Sequence, residues 1–133
     1  MQVNALDHVN IITDRLDETA EFYRALLSLE RRDGPAPLTP QNAQWMYDAG
    51  GKPILHINAV DCPRAFDRAV EPGQLTGAIH HIALNCSGYD EVKARIEAMG
   101  RDHQVNLVAS IGLRQIFTAD PNNVLLELNF FGD

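Results

Sequence analysis

Cysteine is nearly absent from this chain of 133 residues: only Cys62 and Cys86 occur, and they show no CxxC spacing. That excludes a disulfide framework and a structural zinc knuckle, and it reads each cysteine as a buried thiol. Basic residues are outnumbered, 11 Lys and Arg against 18 Asp and Glu, for a formal charge of −7. With no cluster of Lys and Arg there is no electrostatic footprint for nucleic acid. No apolar run approaches the roughly 20 residues that a spanning helix needs. The opening MQVNALDHVN also lacks a basic segment followed by an apolar one. These absences point to a cytoplasmic protein whose partners are small molecules or a second copy, with neither nucleic acid nor membrane. Compositional bias is missing too: 45% hydrophobic and 22% charged residues are ordinary for a folded domain and exclude disorder or a coiled coil.

What is present is a pattern that occurs twice. ALDHVNIIT, residues 5–13, alternates with period two and predicts a strand carrying Leu6, His8, Asn10 and Ile12 on one face. DRLDETAEFYRALL follows as an amphipathic helix, with Asp14 as the expected cap and Leu16, Ala20, Tyr23 and Leu27 at helical spacing. The Pro-rich RRDGPAPLTPQN predicts irregular chain, after which AQWMYDAGGKPILHINAV reads as two strands joined by a Gly-Gly turn. From residue 77 the order restarts: a strand in GAIHHIALN, a helix with Ser87 as cap, Val92, Ile96 and Met99 as its apolar line and Gly100 as its stop, then strands in DHQVNLVAS, LRQIFTAD and NNVLLELNF.

Superposing LDHVNI on IHHIAL puts His8 on His81, an offset of 81 − 8 = 73, and Asp17 and Glu18 then fall on Asp90 and Glu91. The final strands of the two halves place His56 near Glu127, an offset of 127 − 56 = 71. The expectation is one α+β domain, 1–133, made of two tandem βαβββ modules (about 1–60 and 77–133, linker 61–76). Each module offers one donor on its first strand and one on its last, His8 with His56 and His81 with Glu127. Three imidazoles and a carboxylate suit a borderline divalent ion: zinc, iron(II), nickel, cobalt or manganese. Glu127 lies among apolar neighbours in LLELNF, where a carboxylate is rare unless paired or metal-bound. Register makes His81 the donor and turns His80 away. Asn10, two residues from His8, Trp45 in the aromatic strand, and Arg114 or Gln115 before the DPNN turn are candidate substrate contacts.

Paired βαβββ modules, the openings LDHVNI and HHIAL, a helix carrying EFYRALL and the close FTADPNNVLLELNF with its DPxxxxxE motif resemble the vicinal oxygen chelate superfamily. That group includes glyoxalase I, extradiol dioxygenases, fosfomycin-resistance enzymes, methylmalonyl-CoA epimerase and bleomycin-binding proteins. The resemblance implies an eight-stranded metal-binding cleft with ligands on the first and last strand of each module, which are the places of His8, His56, His81 and Glu127, and a site that many members share between chains; a homodimer is expected because one βαβββ module leaves an open sheet that must close against another. It also separates the subfamilies. Extradiol dioxygenases want tyrosine where Phe117 stands and a histidine upstream, where VASIG has none. Bacterial glyoxalase I would present His, Glu, His and Glu, with an arginine at Ile12 and an asparagine at Val60 for glutathione. The epimerase order, His, Gln, His and Glu, differs at His56, and its further carboxylate base has only Asp48 as a counterpart, a position that suits a turn. Fosfomycin-modifying enzymes need basic residues after the last carboxylate, and none follows Glu127. The leading expectation is a metal-dependent isomerase or lyase acting on a small substrate chelated through vicinal oxygens, with Glu127 as ligand and base. The alternatives are an iron-dependent dioxygenase and a non-catalytic drug or metabolite binding protein of the bleomycin-resistance type.

Overall fold

In VNIIT the residues that alternate into the interior are Ile11 and Thr13, 6% and 3% exposed, while Asn10 and Ile12 turn to the other side. This is strand β1 (Val9–Thr13), and the same reading extends along the chain of this computed structural model, which describes residues 1–2, 4–63, 76 and 79–132. The order is β1, α1 (Leu16–Leu27), β2 (Glu30–Asp33), β3 (Ala43–Tyr47), β4 (Pro53–Ala59), β5 (Ile82–Cys86), α2 (Tyr89–Ala98), β6 (His103–Val108), β7 (Leu113–Ala119) and β8 (Leu125–Phe131). The chain divides into two compact units, Met1–Pro72 and Gly73–Asp133. Each holds a four-stranded sheet, ordered β1-β4-β3-β2 in the first and β5-β8-β7-β6 in the second. In both, the first strand runs parallel to the last and the other pairs are antiparallel, so two βαβββ modules stand in tandem.

One face of each sheet is covered by its own helix. In unit 1, α1 buries Thr19, Ala20, Phe22, Tyr23 and Leu26 over the strand residues Ile11, Met46, Leu55 and Ile57. Each large apolar side chain removed from water there contributes about 1.5–3 kcal/mol. In unit 2 the shorter α2 buries only Val92 and Ile96, and Tyr89 at its first turn meets Phe130 edge-to-face at 5.3 Å. Met99, placed on the apolar line by its spacing, is 37% exposed.

Three local expectations are corrected. The N-caps are Arg15 and Gly88, one residue beyond Asp14 and Ser87, and neither has a side-chain cap bond. At α1 the Thr13 hydroxyl instead accepts the Arg15 N–H at 2.9 Å, and Gly88 takes a left-handed conformation (φ +83°). Gly100, also left-handed (φ +65°), ends α2 as expected. Regular structure does not stop at Arg31: ERRD is the edge strand β2, paired with β3 from Glu30↔Tyr47 to Asp33↔Gln44. Its side chains are polar, so no apolar alternation marks it. Charge holds it, because Arg31 reaches Glu21 and Asp17 on α1 and donates to the buried Gln44, whose amide in turn donates to Asp33. Finally, His8 and His81 flank their strands rather than lying inside them, since β1 begins at Val9 and β5 at Ile82. Of the expected linker 61–76, positions 64–75 lie outside the described residues, as do Gly77 and Ala78 at the head of the second histidine strand.

Candidate functional site

In unit 1 the face turned from α1 carries Asn10, His56 and Trp45 side by side, set by the register Asn10↔His56 and Trp45↔His56. His56 is held between two rings, 3.8 Å from His8 (15° between planes) and 3.8 Å from Trp45 (parallel). His8 Nδ1 lies 2.6 Å from Asp7 Oδ2, and this hydrogen bond holds the Asp7 carboxyl below its ordinary range. A carboxylate on Nδ1 fixes the tautomer and leaves Nε2 as the donor atom, the usual outer support of a metal-ligating histidine. Among the described residues, His56 Nε2 is buried with no hydrogen-bond partner, as is Asn58 Oδ1 two residues on. Burial, then the neighbouring His8, push the His56 imidazole below its ordinary value, opposed by Asp7 and the Pro53 backbone. The neutral ring with a free lone pair is therefore favoured.

In unit 2 the corresponding face is polar. His81 Nε2 lies 3.1 Å from Glu127 Oε2. The other oxygen, Oε1, accepts from Gln115 Nε2 at 2.8 Å and from Asn129 Nδ2 at 3.0 Å. Gln115 also donates to Asn129 Oδ1 at 2.9 Å and accepts from Asn106 Nδ2 at 2.8 Å. Glu127 is thus mostly buried, 17% exposed, with Oε1 held by two amides and Oε2 facing His81 rather than surrounded by the apolar residues of its own strand, which alternate to the helix side. His80 is on the opposite parity, exposed, and meets His81 edge-on with 3.0 Å between their Nδ1 atoms.

Two turns of the same construction set these registers. Asp48 Oδ1 accepts the N–H groups of Gly50 and Lys52 at 2.9 and 2.8 Å, and Gly51 is left-handed (φ +81°). Asp120 Oδ1 accepts those of Asn122 and Val124 at 2.7 and 2.9 Å, and Asn123 is left-handed (φ +63°). Asp48 is therefore a turn residue, with Oδ1 held by two backbone N–H groups. The two aspartates differ by 120 − 48 = 72, whereas their ligands differ by 71. The lost residue is a β-bulge: Tyr47 pairs with Pro53 but Met46 with Leu55, so Ile54 is extra and returns His56 to the face opposite Leu55.

Of the pair Arg114 and Gln115, only Gln115 shares the face of Glu127. Arg114 pairs with Phe130, stacks over the Tyr89 ring at 4.0 Å and lies 3.5 Å from Asp90, on the helix side. Its expected role as a substrate contact is corrected accordingly. Asn106, Asn129 and Asp7 escaped the sequence reading, although Asn106, Gln115 and Asn129 fall in register on three adjacent strands. Among the described residues no three His, Cys, Asp or Glu side chains form one metal-ligating group; the donors stand as two pairs, one per unit. Each pair suits a divalent ion. One offers a buried lone pair beside a carboxylate-oriented imidazole, and the other an imidazole against a carboxylate with one oxygen still unsaturated.

Comparison with known proteins agrees with this architecture. Residues 5–128 match the model of the Glyoxalase/Bleomycin resistance protein/Dioxygenase superfamily. The chain is 25% identical over 132 residues to Glyoxylase I 4 of Arabidopsis thaliana, covering 96% of this chain and 71% of that protein. Among solved structures it resembles a putative glyoxalase family protein from Bacillus anthracis (TM-score 0.71, 17% identity, 98% of each chain). It likewise resembles the fosfomycin resistance protein FosX from Listeria monocytogenes (TM-score 0.69, 20% identity, 97% of this chain and 94% of that one). A mutant of FosX has been solved with Mn(II) and dihydroxypropylphosphonic acid (TM-score 0.66, 22% identity, 96% of this chain and 92% of that one). With a family model spanning nearly its whole length and two βαβββ units in tandem, the chain belongs to the glyoxalase/bleomycin resistance protein/dioxygenase superfamily.

Proposed function

We propose that this chain is a divalent-metal-dependent enzyme of isomerase or lyase type, acting on a small substrate that offers two vicinal oxygens, with His8, His56, His81 and Glu127 as the metal donors. The observation that supports it best is the matched pairing, His8 stacked on His56 and His81 set against Glu127, together with the buried, unpartnered Nε2 of His56. The donor set of three imidazoles and one carboxylate suits zinc, iron(II), nickel, cobalt or manganese. A divalent ion held by these residues supplies Lewis acidity to the chelated oxygens and so favours loss of a neighbouring proton.

The remaining work falls to side chains. Glu127 would double as the base by taking that proton on Oε2 in exchange for its bond to the ion, since Oε1 already accepts two amide N–H groups. Burial keeps His56 neutral and competent as a ligand near neutral pH. Asp7 turns His8 so that Nε2 is its free atom. Asn10 and Trp45, on either side of His56, orient the substrate over the donors.

Elemental analysis of the purified protein, and of His81→Ala and Glu127→Ala, tests the proposal. One ion per chain in the parent and marked loss in both variants is expected. Retention in both variants would sink the ligand assignment, and a parent without stoichiometric metal would favour a binding protein of the bleomycin-resistance type.

A further inference from the structure

The amide chain beside Glu127 has a direction. An ionised carboxylate only accepts hydrogen bonds, so both amides that touch Oε1 must present N–H groups to it. Gln115 spends one N–H on Glu127 and one on Asn129 Oδ1, which leaves its own carbonyl facing β6, where Asn106 Nδ2 donates to it. Each oxygen and nitrogen along Asn106, Gln115, Asn129 and Glu127 is fixed by the next. Gln115 is buried, at 8% exposure, so water does not substitute for it. The equivalent position in unit 1 is Ala43, opposite Asn58 as Gln115 is opposite Asn129, and there the asparagine oxygen has no partner among the described residues.

We propose that Gln115, aimed by Asn106, is a positioning residue that ties up one oxygen of Glu127 and makes it a one-oxygen metal donor through Oε2. The inference rests on the metal-site reading above. Without the Gln115 amide, Oε1 would keep only the Asn129 N–H, and Asn129 would lose the bond that Gln115 makes to its own oxygen, so Glu127 would be freer to turn both oxygens toward a bound ion.

Cobalt(II), added to the metal-free protein, is the probe, because its visible absorption weakens as coordination number rises. Two variants are compared with the parent: Gln115→Leu, which removes the N–H groups at similar volume, and Asn106→Asp, which replaces the donor with an acceptor at an exposed position of β6 and so turns the Gln115 amide around. Far-UV circular dichroism confirms the fold of each. Both are expected to bind cobalt(II) roughly 10–100-fold more weakly, with visible bands weaker than those of the parent at saturation. Folded variants with parental affinity and bands would overturn the inference while leaving the metal reading intact. A loss of affinity with unchanged bands would overturn it as well, since it signals loosened packing rather than a repositioned carboxylate. A parent that binds no cobalt(II) sinks both readings.

Discussion

The two units place their candidate ligands at the same backbone addresses and support them by opposite means. In unit 1, Trp45, His56 and His8 form a stack of rings with 3.8 Å spacings. In unit 2 the matching residues are Phe117, Glu127 and His81, and the support is a ladder of amides that ends on the carboxylate. The difference follows from the ligand. A neutral imidazole tolerates burial between apolar faces and keeps one nitrogen unpartnered, whereas a carboxylate in the same place is destabilised by several kcal/mol unless N–H groups surround it. One backbone thus accepts a nitrogen or an oxygen donor, provided the neighbouring strand changes with it: Ala43 beside the imidazole strand, Gln115 beside the carboxylate strand.

The comparison is broken most severely by removing the aromatic that docks α2. Phe130→Ala, at a position with no exposure, is expected to lower the unfolding free energy by about 3–5 kcal/mol, measured by urea titration followed by far-UV circular dichroism. A loss below about 1 kcal/mol would mean that α2 is held by something other than its contact with β8.

Next come the paired turns. Asp120 is buried, so Asp120→Ala strands two backbone N–H groups and is expected to cost about 2–3 kcal/mol. Asp48→Ala, in the half-exposed turn, costs about 1 kcal/mol because water reaches the same groups. Equal losses in the two midpoints would refute the burial argument.

A smaller effect is expected from Ala43→Gln, which carries the amide of unit 2 into unit 1. It brings a donor to Asn58 Oδ1 but overfills a site with no exposure, and a net loss of about 1 kcal/mol is expected. A gain in midpoint would show that unit 1 has room for the ladder.

The mildest test is pH. The folded His56 titrates below its unfolded value of about 6.5, chiefly through burial. Below that pH the unfolded chain binds the proton more readily than the folded one. Stability of the metal-free protein from this group is therefore complete above pH ~6.5 and is lost as pH falls through the depressed folded value. Trp45, the single tryptophan and stacked on His56, reports the event by fluorescence, and His56→Gln should flatten the titration.

Much of this was legible in the sequence because it rests on period and repetition. The 73-residue offset found the two modules and set His81, the residue that lies against Glu127, on His8. What escaped was set by partners distant in sequence. ERRD carries no apolar signal, and only Asp17 and Glu21 on α1 and Gln44 on β3 explain why it is a strand. The amide ladder is invisible for the same reason: Asn106, Gln115 and Asn129 are unremarkable polar residues until β6, β7 and β8 align. Alternation alone leaves open which of Arg114 and Gln115 faces the helix, and it is the Tyr89 ring at the start of α2 that takes Arg114.

The bulge at Ile54 makes the two halves unequal toward changes of chain length. Between Asp120 and Glu127 the ladder is regular, so deleting one residue there would carry the carboxylate to the helix side and erase the site in a single step. Between Asp48 and His56 there is already one residue to spare. Deleting Ile54 would heal the bulge and leave the histidine on its own face, seven residues from its turn, the spacing that the glutamate has from Asp120. Length variation among relatives that keep a donor at this place should therefore gather in the first hairpin and spare the second.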